Sequence, residues 1–260
     1  MIDPYMHKQI ESLLKEKEAS ESIRILYACE SGSRAWGFPS QDSDYDVRFI
    51  YHHPVEWYLA IDLENKPDVI ERPISGQIDL RGWDLRKTLK LMAKSNPPLL
   101  EWICSPIIYL DPVGFRKRLR AISNKYYSPK ACAYHYLHMA QGNVRDHLTG
   151  ETVWLKKYFY VLRPLLAIRW IEDGRGQVPM EFEILVETMV TDSRLKSAIA
   201  KLLDRKLAGE ELQRGPRIAE ISNYIDQELA RLSDTPDWDV AESKDGEELD
   251  RFFQKEIGLK

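Results

Sequence analysis

The sequence predicts an α+β fold in two parts, a sheet-bearing domain in residues 1–111 and an all-α domain in residues 112–260. Up to residue 110, short segments recur in which apolar and polar residues alternate, and this period of two is typical of half-buried strands. Beyond Asp111-Pro112 the apolar residues recur with helical period, and turns containing Gly or Pro separate the segments. We therefore place the domain boundary near residue 111.

The composition is that of a globular chain. The 260 residues are 43% hydrophobic, which is enough to form a core. The net charge of -4 argues against electrostatic capture of nucleic acid over the whole surface, although it is compatible with a local basic face. The three cysteines lack C-x-x-C spacing and predict buried thiols. Because the chain shows no apolar signal core and no stretch of membrane-spanning length, we expect a cytoplasmic protein that does not contact a membrane.

Two carboxylates lie side by side on the strand predicted after residue 43. Asp44, Asp46 and Arg48 fall on one face of this strand, and the apolar and aromatic residues between them fall on the other. Like charges on one face repel each other, so we expect a cation to bridge the two carboxylates. Ligands that offer only oxygen suit Mg²⁺ or Mn²⁺.

A turn that suits phosphate binding precedes this strand. An apolar strand is predicted over residues 23–29, and the chain then passes through Gly32-Ser33 into a helical segment. Free backbone N–H groups, the Ser33 hydroxyl and the positive end of a helix dipole together favour a phosphate. Phosphate-binding groups beside metal-binding carboxylates are what a bound nucleoside triphosphate requires.

The motif Gly32-Ser33, followed after ten residues by Asp44-Tyr45-Asp46, resembles that of the nucleotidyltransferase superfamily typified by DNA polymerase beta. The longer resemblance is to a bacterial branch of predicted nucleotidyltransferases that is linked with RNA repair. It extends over about residues 20 to 175 and rests on five segments, which are residues 32–37, 43–51, 82–87, 95–102 and 156–164.

This resemblance implies a small mixed β-sheet with helices and two bound metal ions, Mg²⁺ or Mn²⁺. It implies transfer of a nucleoside monophosphate from an NTP such as ATP to a hydroxyl group, with release of pyrophosphate and with an RNA end as the acceptor. It also implies nucleotide contacts from Gly32, Ser33, Arg34 and Ser43. Two alternatives stay open: transfer to a protein side chain or small molecule, and nucleotide binding without turnover. The sequence indicates no oligomeric state.

A third carboxylate is expected from a neighbouring strand, where the superfamily places the residue that binds the second metal ion and acts on the attacking hydroxyl. Asp79 lies on the polar face of the strand predicted over residues 76–84. Asp84 is the alternative, although it also fits the N-cap of the helix that follows. We expect Asp44, Asp46 and Asp79 to be the catalytic metal ligands.

In the superfamily a helical domain closes over the nucleotide, and the helix predicted over residues 153–172 carries suitable cations. Lys156, Tyr160 and Arg163 are spaced at i, i+4 and i+7, which places them on one face. Lys157 is one position off this face but belongs to the matched segment, so either lysine remains a candidate for binding the triphosphate. A solvated basic face is the alternative interpretation.

The remaining helices are predicted from periodicity and turn residues. They span residues 5–17, 85–94, 99–104, 113–125, 129–148, 180–191, 193–207, 217–232 and 247–257. The acidic segment 234–246 is predicted to be an exposed linker.

Overall fold

The computed structural model describes residues 2–210, 212–233 and 246–259. The predicted linker at 234–246 lies outside these residues, apart from Gly246. By their contacts, the described residues form two compact units. The first unit comprises those of residues 1–35, 44–127 and 242–260, and the second comprises those of residues 36–43 and 128–241.

The strands, in chain order, are β1 (Arg24–Glu30), β2 (Tyr45–His52), β3 (Val69–Ser75), β4 (Ile78–Asp84), β5 (Ile108–Leu110), β6 (Thr152–Trp154) and β7 (Arg214–Pro216). The helices are α1 (Pro4–Glu21), α2 (Gly32–Ala35), α3 (Val55–Tyr58), α4 (Leu85–Ala93), α5 (Pro97–Cys104), α6 (Phe115–Tyr126), α7 (Pro129–His147), α8 (Lys157–Glu172), α9 (Phe182–Met189), α10 (Ser193–Leu207), α11 (Ala219–Ser233) and α12 (Glu247–Glu256). None of these helices is both long enough and apolar enough to cross a bilayer.

The first unit is built on a five-stranded mixed sheet in the order β3-β4-β2-β1-β5. The pairs β3/β4, β2/β1 and β1/β5 are antiparallel, whereas β2 and β4 run parallel. The predicted α+β class with a small mixed sheet is therefore confirmed.

Helices cover both faces of this sheet. On one face, Ile10 and Leu14 of α1 pack against apolar side chains of β1, β2 and β4. On the other face, α4, α5, α6 and α12 supply a second apolar cluster. Because both faces are covered, the sheet is a rigid support for side chains at its open ends.

The alternation along β2 decides which side chains remain accessible. Val47 and Phe49 are buried on the α1 face, and Ile50 is buried in the second cluster. Asp46 and Arg48 point to the same face as Ile50 but lie nearer the start of the strand. There the Asp46 side chain is 28% exposed and the Arg48 side chain is 14% exposed. The sheet thus ends in a partly exposed polar patch next to its core.

The second unit is mostly helical, but it also contains the antiparallel pair β6/β7. The prediction of an all-α second part is therefore wrong for this pair. The predicted helix over residues 153–172 begins only at Lys157, because residues 152–154 are extended and pair with β7. α8 is buried around almost its whole circumference, with α7, α9 and α11 packed against it.

The two units do not divide the chain at residue 111. α6 follows that position, yet Phe115 and Leu119 belong to the second apolar cluster of the first unit. α12 also belongs there, and Arg118 of α6 donates two hydrogen bonds of 2.7 Å to the Glu256 carboxylate of that helix. Conversely, residues 36–43 belong to the second unit. A boundary chosen from local periodicity misses these non-local contacts.

A substitution at Gly82 tests how closely the parallel strands β2 and β4 are packed. It lies opposite Phe49 in the β2/β4 register, and a Cβ atom at Gly82 would overlap the Phe49 ring. We expect Gly82→Ala to lower the free energy of unfolding by about 1–3 kcal/mol, as overpacking of a buried site does. The measurement is urea unfolding followed by circular dichroism.

Gly142→Ala is the matched control, because Gly142 lies inside α7 and its added Cβ would meet no atom within 4 Å. We expect this variant to be as stable as the wild type or up to about 1 kcal/mol more stable, since Ala favours helices. Equal stability of the two variants would contradict the close packing of Gly82 on Phe49.

Candidate active site

Asp46 and Asp79 lie side by side because β2 and β4 are parallel and pair in register at these two residues. Arg48 joins their carboxylates. Its Nη2 donates to Asp46 Oδ1 at 2.9 Å and to Asp79 Oδ2 at 2.7 Å, while its Nη1 donates to the backbone carbonyls of Val47 and Asp79. The predicted pairing of Asp46 with a carboxylate from a neighbouring strand therefore has a geometric basis.

Asp44 directly precedes β2 and is exposed. Arg34 of α2 donates from Nε to the Asp44 carbonyl at 3.1 Å, and its guanidinium lies 3.8 Å from the centroid of the Tyr45 ring. This stacking on an aromatic face holds a cation beside the carboxylates. We call Asp44, Asp46 and Asp79 the acidic cluster. These contacts place two cations, Arg34 and Arg48, within it.

Gly32 approaches the Asp46 carboxylate so closely that a larger residue would force this carboxylate to move. Its φ of +58° is in the left-handed region, and an added Cβ would overlap the Asp46 carboxylate. Ser31 donates its N–H to the Asp46 carbonyl at 2.8 Å, which continues the β1/β2 pairing into this turn. The Gly32-Ser33 turn and the carboxylate strand are thus held in direct contact.

Glu30 is a fourth acidic residue at this site, and sequence reasoning did not identify it. It is fully buried, its Oε1 accepts the Asp46 N–H at 2.8 Å, and its Oε2 accepts the Tyr109 hydroxyl. The available signal was a charged residue at the end of an apolar strand, directly before the Gly-Ser turn. Glu30 therefore fixes the backbone of Asp46, whereas Gly32 contacts its side chain.

Burial and neighbouring charges shift the pKa of two carboxyl groups at this site. Burial raises the pKa of Asp46, Arg48 lowers it, and the neighbouring charges of Asp79 and Asp44 raise it again. Burial also raises the pKa of Glu30 to about 7, although the hydrogen bonds from Tyr109 and from the Asp46 backbone oppose this change. Burial therefore disfavours the ionised form of both carboxyl groups, and a further cation near Asp46 would offset this effect.

Asp84 lies elsewhere and has a structural role. It pairs with Tyr51 in the β2/β4 register, five residues along β4 from Asp79. It caps α4 by accepting the Arg86 N–H at 2.7 Å, and it accepts the Tyr58 hydroxyl at 2.6 Å. Its side chain is 1% exposed. This geometry favours Asp79 over Asp84 as the third carboxylate.

Two serines were also predicted to bind the nucleotide. Ser33 lies half-buried in α2, one residue after Gly32. Ser43 belongs to a turn in which its hydroxyl lies 2.9 Å from both the backbone N and the Oγ of Ser40. The Ser43 hydroxyl therefore stabilises the turn that leads to Asp44.

The predicted cations of the second part all lie in the second unit, where Lys156 is the N-cap of α8 and Lys157 its first residue. Tyr160 is 42% exposed. Arg163 is only 2% exposed, and its Nη2 donates to the Pro179 carbonyl at 3.2 Å. The prediction that Arg163 shares an exposed face with Lys156 and Tyr160 is wrong, because neighbouring helices surround α8 at this level.

In residues 2–210, 212–233 and 246–259, no group of three or more His, Cys, Asp or Glu side chains is arranged so that it could hold a metal ion. In the acidic cluster, Arg48 lies between the oxygens of Asp46 and Asp79. The donor set still fits a hard divalent cation, because Asp44, Asp46 and Asp79 offer only carboxylate oxygen. Binding of such an ion requires these carboxylates to turn away from Arg48.

The raised pKa of Glu30 predicts a specific pH dependence of stability. Unfolded Glu30 loses its proton near the ordinary value of 4.5, whereas the folded residue keeps it up to about pH 7. Between these values the unfolded state binds fewer protons, so the contribution of Glu30 to the free energy of unfolding falls as pH rises. The full fall is roughly 3 kcal/mol for a pKa difference of about 2.5.

The measurement is urea unfolding from pH 4.5 to 8 in EDTA for the wild type and Glu30→Gln. We expect the wild type to lose stability relative to Glu30→Gln across this range. The exposed Glu56→Gln is the control, and its curve should run parallel to that of the wild type. Parallel curves for the wild type and Glu30→Gln would show that Glu30 is ionised throughout and would contradict the assignment.

The chain is similar to several known proteins. The model of the RNA repair pathway DNA polymerase beta family (RlaP) matches residues 6–255. Uncharacterized protein YcgL of Bacillus subtilis (strain 168) is 49% identical over 249 residues, which is 95% of each chain. A crystal structure of a nucleotidyltransferase-like protein from Exiguobacterium sibiricum 255-15 aligns with 87% of this chain and 77% of its own length, at 10% identity and a TM-score of 0.33. This last likeness is too weak to support an argument.

The family match confirms the resemblance to the nucleotidyltransferase superfamily and to its branch linked with RNA repair. It spans both units, including the Gly32-Ser33 turn, the carboxylates of β2 and β4, and α8. The chain therefore belongs to the RNA repair pathway DNA polymerase beta family.

Proposed function

We propose that the protein is a metal-dependent nucleotidyltransferase that moves a nucleoside monophosphate from an NTP to a hydroxyl at an RNA end and releases pyrophosphate. The observation that carries this proposal is the in-register pairing of Asp46 with Asp79 directly beside Gly32. Family membership supports the link to RNA repair.

Asp44, Asp46 and Asp79 would hold two divalent ions, Mg²⁺ or Mn²⁺. Their donor chemistry supports this role, because all three offer only carboxylate oxygen. When bound, such ions stabilise the negative charge that develops on the transferred and leaving phosphates. In the absence of metal ions, Arg48 bridges Asp46 and Asp79 from its anchored position on the backbone carbonyls, and the ions would take over this bridging role.

The protein groups around the carboxylates have separate tasks. The Gly32-Ser33 backbone and the Ser33 hydroxyl bind phosphate oxygens, and Arg34 supplies a positive charge beside Asp44. Asp79, whose side chain is 29% exposed, accepts the proton of the attacking hydroxyl at its carboxylate. Glu30 and Gly32 keep Asp46 in place, so the reacting groups meet in a fixed geometry.

The test is pyrophosphate release from each ribonucleoside triphosphate in Mg²⁺ or Mn²⁺, with and without tRNA or RNA that has a free 3′ end. We expect RNA-dependent release that falls at least about a hundredfold in Asp44→Asn and Asp46→Asn, because each substitution removes a metal-binding charge. Asp42→Asn changes an exposed carboxylate near the same strand and should stay within about twofold of the wild type.

An α-phosphorus label separates the outcomes. Label on RNA supports the proposed acceptor. Label on the protein or on a small molecule, together with pyrophosphate release that does not need RNA, would contradict the RNA acceptor but would still support transferase activity. NTP binding without release under every condition would contradict the transferase itself.

A further inference from the structure

A strip of exposed and half-buried side chains in the second unit has no role in the site described above. It lies on β6, on the start of α8, on β7 and at the end of α10. We call it the basic strip and define it by Trp154, Lys156, Lys157, Lys206 and Arg214.

The backbone pairing brings three members of the basic strip together. Trp154 is the register partner of Arg214, and the pairing continues as Leu155 and Lys156 donate their N–H groups to the carbonyls of residues 213 and 212. Burial alternates along this segment: residues 153 and 155 are buried, whereas Trp154 and Lys156 are exposed. Trp154, Lys156 and Arg214 therefore share the exposed side of the pair.

The lysines of the basic strip repel one another. Burial lowers the pKa of Lys206, and the charge of Lys156 lowers it further; the same two causes lower the pKa of Lys157. Within the described part of the chain, no carboxylate forms an ion pair with any of these three lysines, whereas the neighbouring Arg205 pairs with Glu210. In a chain of net charge -4, this is a local excess of positive charge.

Aromatic rings lie among these cations. Trp154 is 39% exposed on the open side of the strand pair. Arg214 donates from Nη2 to the Thr152 carbonyl at 3.0 Å, which holds its guanidinium along β6. Lys157 Nζ lies 4.8 Å from the centroid of the exposed Tyr160 ring. Exposed rings interleaved with cations are the surface that single-stranded nucleic acid requires, because bases stack on the rings and phosphates bind the cations.

We propose that the basic strip binds a single-stranded RNA segment, with a base stacked on Trp154 and phosphates on Lys156, Lys157, Lys206 and Arg214. The inference rests on the proposed function, in which RNA is the acceptor. It assigns Lys156 and Lys157 to the RNA backbone instead of the triphosphate, and it adds three residues that the family resemblance did not indicate. The cations lie on β7, on α10, at the α8 N-cap and on α8 itself, and this spread favours an extended RNA backbone over the single triphosphate of an NTP.

The test measures binding and needs no turnover. A fluorescein-labelled single-stranded RNA of about ten nucleotides is titrated with protein in EDTA without NTP, and anisotropy is read at several salt concentrations. We expect Trp154→Ala to weaken RNA binding about tenfold. Lys156→Gln and Lys206→Gln should each weaken it several-fold and reduce the slope of log affinity against log salt by about 0.7. Thermal unfolding checks that each variant folds.

Two controls make the result specific. Lys130→Gln removes an exposed charge on α7 and should leave RNA affinity within about twofold of the wild type. Affinity for a fluorescent NTP analogue with Mg²⁺ is measured in parallel, and it should be unchanged in Trp154→Ala and Lys206→Gln.

Wild-type RNA affinity in Trp154→Ala and Lys206→Gln would overturn the proposal. So would a loss of NTP affinity in the lysine variants with RNA affinity unchanged, since the lysines would then bind the triphosphate. The readout is binding, so it is independent of turnover. If the wild type shows no transferase activity but the variants still lose RNA affinity, only the proposed transfer is refuted. If the protein is an active transferase and its RNA affinity is unchanged in the basic-strip variants, only this inference is refuted.

Discussion

The parallel pairing of β2 with β4 is the constraint on which the acidic cluster depends. It places Asp46 beside Asp79, although 33 positions separate them in the chain, and the same register places Gly82 against Phe49 in the core. A slip of one residue would turn these side chains to the other face and would also expose apolar residues of β2. The packing of the core therefore determines the position of the carboxylates.

Close packing around Asp46 adds to this constraint. Gly32 contacts the carboxylate directly, Glu30 accepts the backbone N–H, and Arg48 donates to the side chain. These contacts restrict the side-chain conformations of Asp46. They also keep its carboxylate buried near the negative charges of Asp79 and Asp44, and burial and these charges both raise its pKa. Nearby cations therefore stabilise the ionised carboxylates. Arg48 does so in this structure, and the proposed metal ions would add to this stabilisation.

The sequence predicted local features well, because these depend on neighbouring residues. The alternation after Asp44 identified β2 and its polar face, and the bounds of α10 were predicted as observed. Features that depend on distant residues were missed. The β6/β7 pair has only three residues on each strand, and Arg163 is buried because α8 is surrounded by other helices. Glu30 was missed because its partner Tyr109 comes from β5. α6 was assigned to the wrong part because its core partners are distant in sequence and lie both before the boundary and in α12.

The most direct test of the central claim is the affinity for Mn²⁺, measured from the free-ion EPR signal with a non-hydrolysable NTP analogue. The comparison is between Gly32→Ala and Gly76→Ala, which both place a Cβ at positive φ, of +58° and +65°. Only the Cβ at position 32 meets the Asp46 carboxylate; the one at position 76 meets no atom within 4 Å. The account predicts wild-type affinity in Gly76→Ala and at least about tenfold weaker binding in Gly32→Ala. Equal Mn²⁺ affinity in the two variants would contradict the role of Asp46 as a metal ligand held in place by Gly32.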